Sequence, residues 1–445
     1  MAPLVSPQPV LGPAARGPIG IMLKRISVRD LSLGMYLHQF CGSWMDHPFW
    51  RSGFVLKDPN DLARIRETAV REVWIDTSRG LDVASGVPGV SREEADSQID
   101  SQFAEMAEAA EGACELPAAP PSAPSPCNPP TSMEAELRAA ALICNRAREA
   151  VASMFAQARL GRAVDASGAR DLVQEITDSV TRNPCALISL ARLKTADDYT
   201  YLHSVAVCAL MVALARQVQL PEDEVRQAGM AGLLHDLGKA AIPLNILNKP
   251  GKLTEEEFAI VREHPVEGHA MLQEVGGATA LVLEACLHHH EKMDGSGYPH
   301  RQRGDGISLI ARMAAICDVY DAITSDRAYK RGWDPADSVR RMAEWGPAHF
   351  DPRLFQAFVK SIGIYPVGSL VRLTSGRLGV VMRQSGQALI APCVNVFFST
   401  KSGLRITPEP VNLAAPGCTE RIVAREDPAS WGFTDLSALW GGPQG

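Results

Sequence analysis

The spacing of apolar positions changes character along the chain, and each change marks a different kind of element. Residues 1–20 are rich in Pro, Gly and Ala and hold no long apolar run. Residues 21–26 and 36–40 then carry short apolar stretches that predict strands, with Leu33-Gly34-Met35 as the turn between them. Over residues 58–69, Leu62, Ile65 and Ala69 recur at helical spacing, and Val73-Trp74-Ile75-Asp76 predicts a closing strand. Together these make a small α+β module over residues 21–80. Residues 91–113 are acidic and Ala-rich, with some helical character. Beyond them Pro117, Pro120, Pro121, Pro124, Pro126, Pro129 and Pro130 rule out a packed helix or central strand. Residues 81–132 are therefore expected to form a linker, acidic and then Pro-rich.

From residue 133 to about 365 the period is helical throughout. Leu137, Ala141, Cys144, Ala147 and Val151 fall on one stripe, and Leu172, Ile176 and Val180 on another. Further helices are predicted over 197–219, 222–239, 254–274, 278–290 and 307–324, with two more near Ala336 and Leu354. Residues 366–425 alternate instead, through Leu370-Val371-Arg372-Leu373, Ser375-Gly376-Arg377 and Gly379-Val380-Val381-Met382. The expected fold is mainly α: a helical bundle with a small N-terminal α+β module and a small C-terminal antiparallel β unit.

Composition narrows the function classes. At 445 residues, 46% hydrophobic and 21% charged, the chain has the make-up of a globular protein of two or three domains. A net charge of −7 argues against a nucleic-acid polymer as partner, but a local cation or metal can still hold a small anion. The ten cysteines are scattered without a C-x-x-C pair, so neither a four-cysteine zinc site nor a disulfide framework is expected. No secretory signal or membrane span is expected, which makes the cytoplasm the default location.

Candidate chemistry concentrates in the helical region, where seven of the eleven histidines lie between His203 and His290. His235-Asp236 sits in an apolar helix with Lys239 one turn on. Burying such charged groups is costly unless they are paired or metal-bound. Neighbouring helix positions diverge by about 100°, so both side chains reach one site only at the helix flank. His289-His290-Glu291 places two imidazoles at a helix end, before the turn Asp294-Gly295-Ser296-Gly297-Tyr298-Pro299. His203, His264 and Asp318 add ligand-type side chains from separate helices, as in metal sites built in bundle cores. Imidazole with carboxylate suits iron, manganese or zinc better than calcium.

These residues resemble the HD-GYP domain, a bacterial subgroup of the HD hydrolase superfamily. The matching elements are, in order, residues 199–204 (YTYLHS), 235–239 (HDLGK), 264–268 (HPVEG), 289–291 (HHE), 294–299 (DGSGYP), 318–322 (DVYDA) and 327–330 (RAYK). The leader module resembles a small domain of unknown role often found before HD-GYP domains, through residues 33–36, 44–49 and 73–77. The resemblance implies an all-α HD-type bundle around a non-haem metal cluster, hydrolysing cyclic di-GMP to linear pGpG, GMP or both with metal-activated water. It implies that His203, His235, Asp236 and Asp318 hold one metal. Asp236, bridging, would hold the second with His264, His289 and His290. Members with a third metal carry Glu four residues before the first His; Tyr199 stands there, which points to two divalent ions, iron or manganese. Asp236 and Lys239 would be catalytic. Lys239, Arg327, Lys330 and Tyr298 would bind substrate, with Arg327 and Lys330 as a phosphate clamp. The Gly297-Tyr298-Pro299 loop would also meet signalling proteins, and a homodimer is compatible. Two other readings stand beside this one: a silent domain that senses nucleotide or binds partners, and a hydrolase of another cyclic dinucleotide.

Overall fold

The computed structural model describes residues 22–41, 53–68, 70–84, 86–112, 133–162, 166–192, 199–249, 251, 253–326, 332–385 and 388–440. The first sheet takes strands β1 (Leu23–Ser27), β2 (Tyr36–Phe40), β3 (Phe54–Val55), β4 (Glu72–Asp76) and β5 (Val90–Ser91), with helix α1 (Pro59–Glu67) between β3 and β4. Its strand order is β3-β2-β4-β1-β5, and all the pairings are antiparallel. Alternation sends Ile26, Leu37, Val73 and Ile75 to one buried face, where Ile65 of α1 covers them. Asp58 caps α1 by accepting the Asn60 N–H, and Pro59 fits the first turn, where its missing N–H costs nothing.

Here the structure departs from the expected linker. β5 joins the first sheet, and residues Arg92–Gly112 form a 21-residue helix, α2. Ile99, Phe103, Met106 and Ala107 of α2 are buried in the same core as the large helical body. Their i, i+4, i+7 spacing is concealed in the sequence by the acids around them, and two of these are used: Asp96 pairs with Arg340, and Asp100 with Arg425 at 3.5 Å. The Pro-rich residues lie outside the described residues.

The helical body runs through α3 (Met133–Arg159), α4 (Ala166–Arg182), α5 (Pro184–Arg192), α6 (Tyr199–Gln217) and α7 (Glu222–Leu234). It continues through α8 (Leu244–Leu247), α9 (Glu255–Arg262), α10 (His264–Val275), α11 (Ala280–His288), α12 (Leu309–Thr324), α13 (Pro335–His349) and α14 (Pro352–Ile362). At its centre lies α6, apolar on all sides and surrounded by α3, α4, α5, α7, α12 and α14. Each Leu, Val or Met it buries contributes about 1.5–3 kcal/mol of transfer free energy. Within α6, residues 200–217 are long and apolar enough to cross a membrane, but 72% of that stretch is buried inside the protein.

Two predicted helices turn out to be broken, and both breaks fall at candidate ligands. The stretch expected over 222–239 stops at Leu234 and resumes as a 3-10 turn, Leu237–Ala241. The stretch over 254–274 divides into α9 and α10 around Glu263, so that Pro265 sits in the first turn of α10.

The second sheet contains β6 (Leu370–Leu373), β7 (Arg377–Ser385), β8 (Ala388–Ser399), β9 (Leu404–Asn412) and β10 (Ile422–Arg425), in the order β10-β6-β7-β8-β9. Its antiparallel arrangement matches the expectation. The packed unit runs past residue 425, because Phe433, Leu436 and Trp440 bury against Leu370, Leu378, Val380 and Phe397. Leu137 of α3 and Ala186 of α5 complete that core.

Candidate metal centre

Five helices bring the predicted ligands together. His203 comes from α6, His235 and Asp236 from the end of α7, and His264 from the start of α10. His289 and His290 follow α11, and Asp318 lies within α12. His235 is still helical (φ −53°, ψ −35°), whereas Asp236 adopts φ −99°, ψ 8°, the bridge region that ends a helix. That turn lets two neighbouring side chains face one point, which a continuing helix would have splayed apart.

Glycines set how closely the supporting elements approach. A Cβ on Gly232 would stand 2.8 Å from the Val207 carbonyl oxygen of α6. A Cβ on Gly238 would stand 1.9 Å from the His264 carbonyl oxygen and 2.4 Å from the Gly268 nitrogen. Any side chain at position 238 would therefore push the Asp236 turn off α10, and His264 with it.

Asp236 is buried at the middle of the cluster. Its Oδ2 lies 3.4 Å from His203 Nε2 and 3.3 Å from His235 Nε2. Its Oδ1 lies 3.2 Å from His264 Nε2 and 3.8 Å from His289 Nε2. Two ligand groups thus share one carboxylate: His203, His235 and Asp236 on one side, and Asp236, His264, His289 and His290 on the other. Within each group the ligand atoms lie within 4.8 Å of one another. Asp318 spans both sides, with Oδ1 at 3.0 Å from His203 Nε2 and Oδ2 at 3.9 Å from His290 Nδ1.

Four of the imidazoles are fixed from behind through Nδ1. His235 is held by the Gly232 carbonyl (2.8 Å), His264 by that of Val261 (2.7 Å) and His289 by that of Cys286 (2.9 Å). For His203 the partner is the buried Asp321 carboxylate, at 2.6 Å. A carbonyl accepts only an N–H, so these contacts place a proton on Nδ1 and point Nε2 into the cluster. Sequence reasoning left Asp321 without a role, although it follows Asp318 by one helical turn and so faces the same way.

The electrostatics divide the cluster in two. Burial, with the charges of His235 and His264, pushes His289 down to about 3, and burial with His289 and His264 holds His290 well below the ordinary imidazole value. At His235 burial acts in the same direction but is outweighed by Asp236 and Asp318, which lift it to about 10. His203 is raised for the same reason, against burial, by Asp236, Asp318 and Asp321. Against their own burial, Lys239 and His235 hold Asp236 well below the usual carboxylate range, and His203 and His235 do so for Asp318.

The predicted substrate residues fare differently. Lys239, on the 3-10 turn, pairs directly with Asp236 Oδ2. The Tyr298 ring stacks on His290, with centroids 4.7 Å apart. Its backbone N–H reaches the His290 carbonyl, and Gly297 permits this, since a Cβ there would stand 2.5 Å from that same oxygen. Glu291 is not among the ligands. It is buried and accepts the backbone N–H groups of His300 and Gln302, which ties down the Gly-Tyr-Pro loop. Arg327 and Lys330 lie outside the described residues, as does the side chain of Tyr199.

The donor set fits divalent cations. His235 Nε2 and Asp236 Oδ1 are fully buried and make no hydrogen bond, a costly arrangement for a protein interior unless a cation completes it. Five imidazoles with two carboxylates form the mixed N/O set favoured by borderline transition metals.

Comparison with known proteins gives the family. A model of a domain of unknown function (DUF3391) matches residues 23–169, and an HD domain model matches residues 178–354. A cyclic di-GMP phosphodiesterase of Pseudomonas aeruginosa is 55% identical over 422 residues, covering 95% of this chain and 96% of that one. The cyclic di-GMP phosphodiesterase response regulator RpfG of Xanthomonas campestris pv. campestris is 38% identical over 39% of this chain and 47% of its own length. A 3'3'-cGAMP-specific phosphodiesterase of Vibrio cholerae is 40% identical over 36% of this chain and 31% of its own. Among solved structures, an HDG"Y"P protein of Bdellovibrio bacteriovorus aligns at 17% identity and a TM-score of 0.43, over 76% of this chain and 98% of that one. On its 55% identity along nearly the whole of both chains, this protein belongs to the HD-GYP family of HD-domain phosphodiesterases, in the group that carries a DUF3391 module before the HD domain.

Proposed function

We propose that this protein is a metal-dependent phosphodiesterase that hydrolyses cyclic di-GMP to linear pGpG, GMP or both. The observation that carries this reading is Asp236, whose two oxygens each face a separate group of imidazoles. A carboxylate so placed is suited to bridge two divalent ions, which in this reading are iron or manganese. Bound there, such ions activate water and neutralise phosphoryl charge. In this reading His203, His235, Asp236 and Asp318 would hold one ion, and Asp236, His264, His289 and His290 the other.

The remaining residues prepare the site. The Nδ1 contacts orient four imidazoles before any ligand arrives, so little reorganisation is needed on binding. Lys239 holds its ammonium on Asp236, from where it can offer a hydrogen bond to a phosphoryl oxygen or to the departing 3′ oxygen. Arg327 and Lys330 serve as the phosphate clamp in this reading, and Tyr298 as an aromatic wall of the substrate site. A cytoplasmic setting, a homodimer and contacts of the Gly297-Tyr298-Pro299 loop with signalling proteins belong to the same proposal.

The test is to reconstitute the full chain with iron or manganese, count bound metal, and follow products from cyclic di-GMP and 3'3'-cGAMP. The expected result is turnover of cyclic di-GMP that is lost in Asp236→Ala. Metal-loaded wild type no faster than Asp236→Ala would sink the reading. Preference for 3'3'-cGAMP would move the substrate while keeping the chemistry.

A further inference from the structure

Arg262 ends α9, two residues before His264, with its side chain exposed. Its guanidinium carbon lies 4.7 Å from the Phe258 ring centroid and 5.3 Å from that of Tyr298. Tyr298 in turn stacks on His290, a candidate metal ligand. Among the described residues no carboxylate lies within 4.0 Å of this guanidinium, whereas Lys239, the cation at the centre itself, is already paired with Asp236. None of the residues of α9 is buried, so the position of Arg262 does not serve a packed helix face. It is a cation with its donors available, steered by two aromatic rings and joined through Tyr298 to the edge of the metal cluster.

We propose that Arg262 recognises the phosphate of the cyclic dinucleotide that is not being cleaved, which makes it a specificity residue of the site. This rests on the phosphodiesterase reading above. A cyclic dinucleotide carries two phosphodiesters in one ring, so placing one at the His/Asp cluster holds the other at a short, fixed remove. In a protein of net charge −7, that second anion needs a local cation. Guanidinium supplies a planar fork of donors that matches two phosphate oxygens at once. The Tyr298 ring keeps the fork directed, and the stacking of Tyr298 on His290 fixes its distance from the reacting phosphate.

The experiment compares wild type, Arg262→Ala and Arg262→Lys as metal-loaded full chains, on cyclic di-GMP and on bis(p-nitrophenyl) phosphate, a diester with no second phosphate. Arg262→Ala is expected to raise KM for cyclic di-GMP about tenfold, the worth of one charge-assisted hydrogen bond, and to change kcat by less than about twofold. The ratio of kcat/KM for cyclic di-GMP to that for bis(p-nitrophenyl) phosphate should fall by about the same tenfold. Arg262→Lys should recover part of it, because the charge returns without the fork. The rise of KM with added salt should be shallower in Arg262→Ala than in wild type. An unchanged KM overturns the proposal, and so does an equal loss on both substrates, since that would mean Arg262 acts through the fold or the metal centre. Wild type that cleaves neither substrate overturns this proposal and the phosphodiesterase reading together. Cleavage of both, with Arg262→Ala indistinguishable from wild type, overturns this one alone.

Discussion

Two pairs of adjacent residues, His235-Asp236 and His289-His290, supply four of the candidate ligands from equivalent places at helix ends, but they are held there by different supports. In the first pair the helix ends at Leu234 and His235 caps it in helical conformation, while Asp236, with φ −99° and ψ 8°, turns its carboxylate back beside the imidazole. In the second the helix ends in the same way at His288, with His289 as its helical cap (φ −64°, ψ −13°) and His290 after it. What differs is the support. The first pair is held by backbone against backbone, where Gly232 of α7 meets α6 and Gly238 of the 3-10 turn meets α10. The second is backed by a loop folded onto it, through Gly297, the Tyr298 ring and the Tyr298 N–H to the His290 carbonyl. One half of the centre is therefore part of the protein core, and the other leans on a surface loop.

That contrast predicts an order of damage. Asp236→Ala removes the group both halves share. Bound metal per chain should fall towards zero, and turnover by roughly a thousandfold or more, because the chemistry depends on the ions. His290→Ala removes a ligand from one half only. Metal analysis should then show roughly half the wild-type content, with the His203–His235 side still loaded. Equal metal loss in the two variants would show that the halves are not separable.

The glycines sharpen the same comparison one step down. Gly238→Ala sets a Cβ 1.9 Å from a carbonyl oxygen in the core, so backbone must move. Thermal unfolding should show a loss of about 2–4 kcal/mol, in the range for overpacked cores. Gly297→Ala meets backbone at 2.5 Å, but within the loop. It should lower turnover more than tenfold by displacing Tyr298 and His290, while its melting temperature stays closer to wild type. The reverse ranking in a melt would mean that the loop, not the α7–α10 turn, carries the stability.

Asp321→Asn probes support without touching a ligand. The amide can still accept from His203 Nδ1 but loses the charge that makes the contact strong. Metal affinity is expected to fall about 10–100-fold, the usual effect of removing a carboxylate behind a ligand histidine. Titration with manganese would measure it, and an unchanged affinity would reduce Asp321 to a packing residue.

Much of this was legible in the sequence, because the ligands are rare residue types in otherwise apolar helices. His203, His235 and Asp318 stand out for that reason, His264 by its place before Pro265 in a more polar stretch, and the structure gathers them. What the sequence concealed were matters of backbone. Periodicity carries the α7 pattern straight through His235 and gives no sign that Asp236 leaves the helix. Nor does it show that Gly238 and Gly268 exist to meet each other. Helix α2 was obscured because acids beside Ile99, Phe103 and Met106 lowered the apolar contrast, and the partners of two of them, Asp96 and Asp100, lie more than two hundred residues away. Asp321 is visible in the sequence, but its role depends on how the His203 ring is turned, which only the fold sets.

The smallest expected effect concerns how the N-terminal sheet meets the loop-backed half. Arg71, just before β4, reaches Asp294 Oδ2 at 2.9 Å, at the start of the loop that carries Tyr298. The other oxygen of Asp294 accepts from the backbone N–H and hydroxyl of Ser296, so the carboxylate links the first sheet to the turn. Arg71 is two-thirds exposed, and an ion pair of that kind contributes roughly 1 kcal/mol or less. Arg71→Ala should therefore leave the melting temperature nearly unchanged. If the sheet helps to place the loop, the loss should appear instead as a two- to threefold lower turnover of cyclic di-GMP, and it should shrink in high salt, where the wild-type pair is already screened. The same substitution should not alter metal content, because the His235-Asp236 half is held by backbone contacts that Arg71 does not reach. Lower metal content in Arg71→Ala would show that the two halves communicate through the loop, and the division drawn here between core-held and loop-held ligands would have to be abandoned.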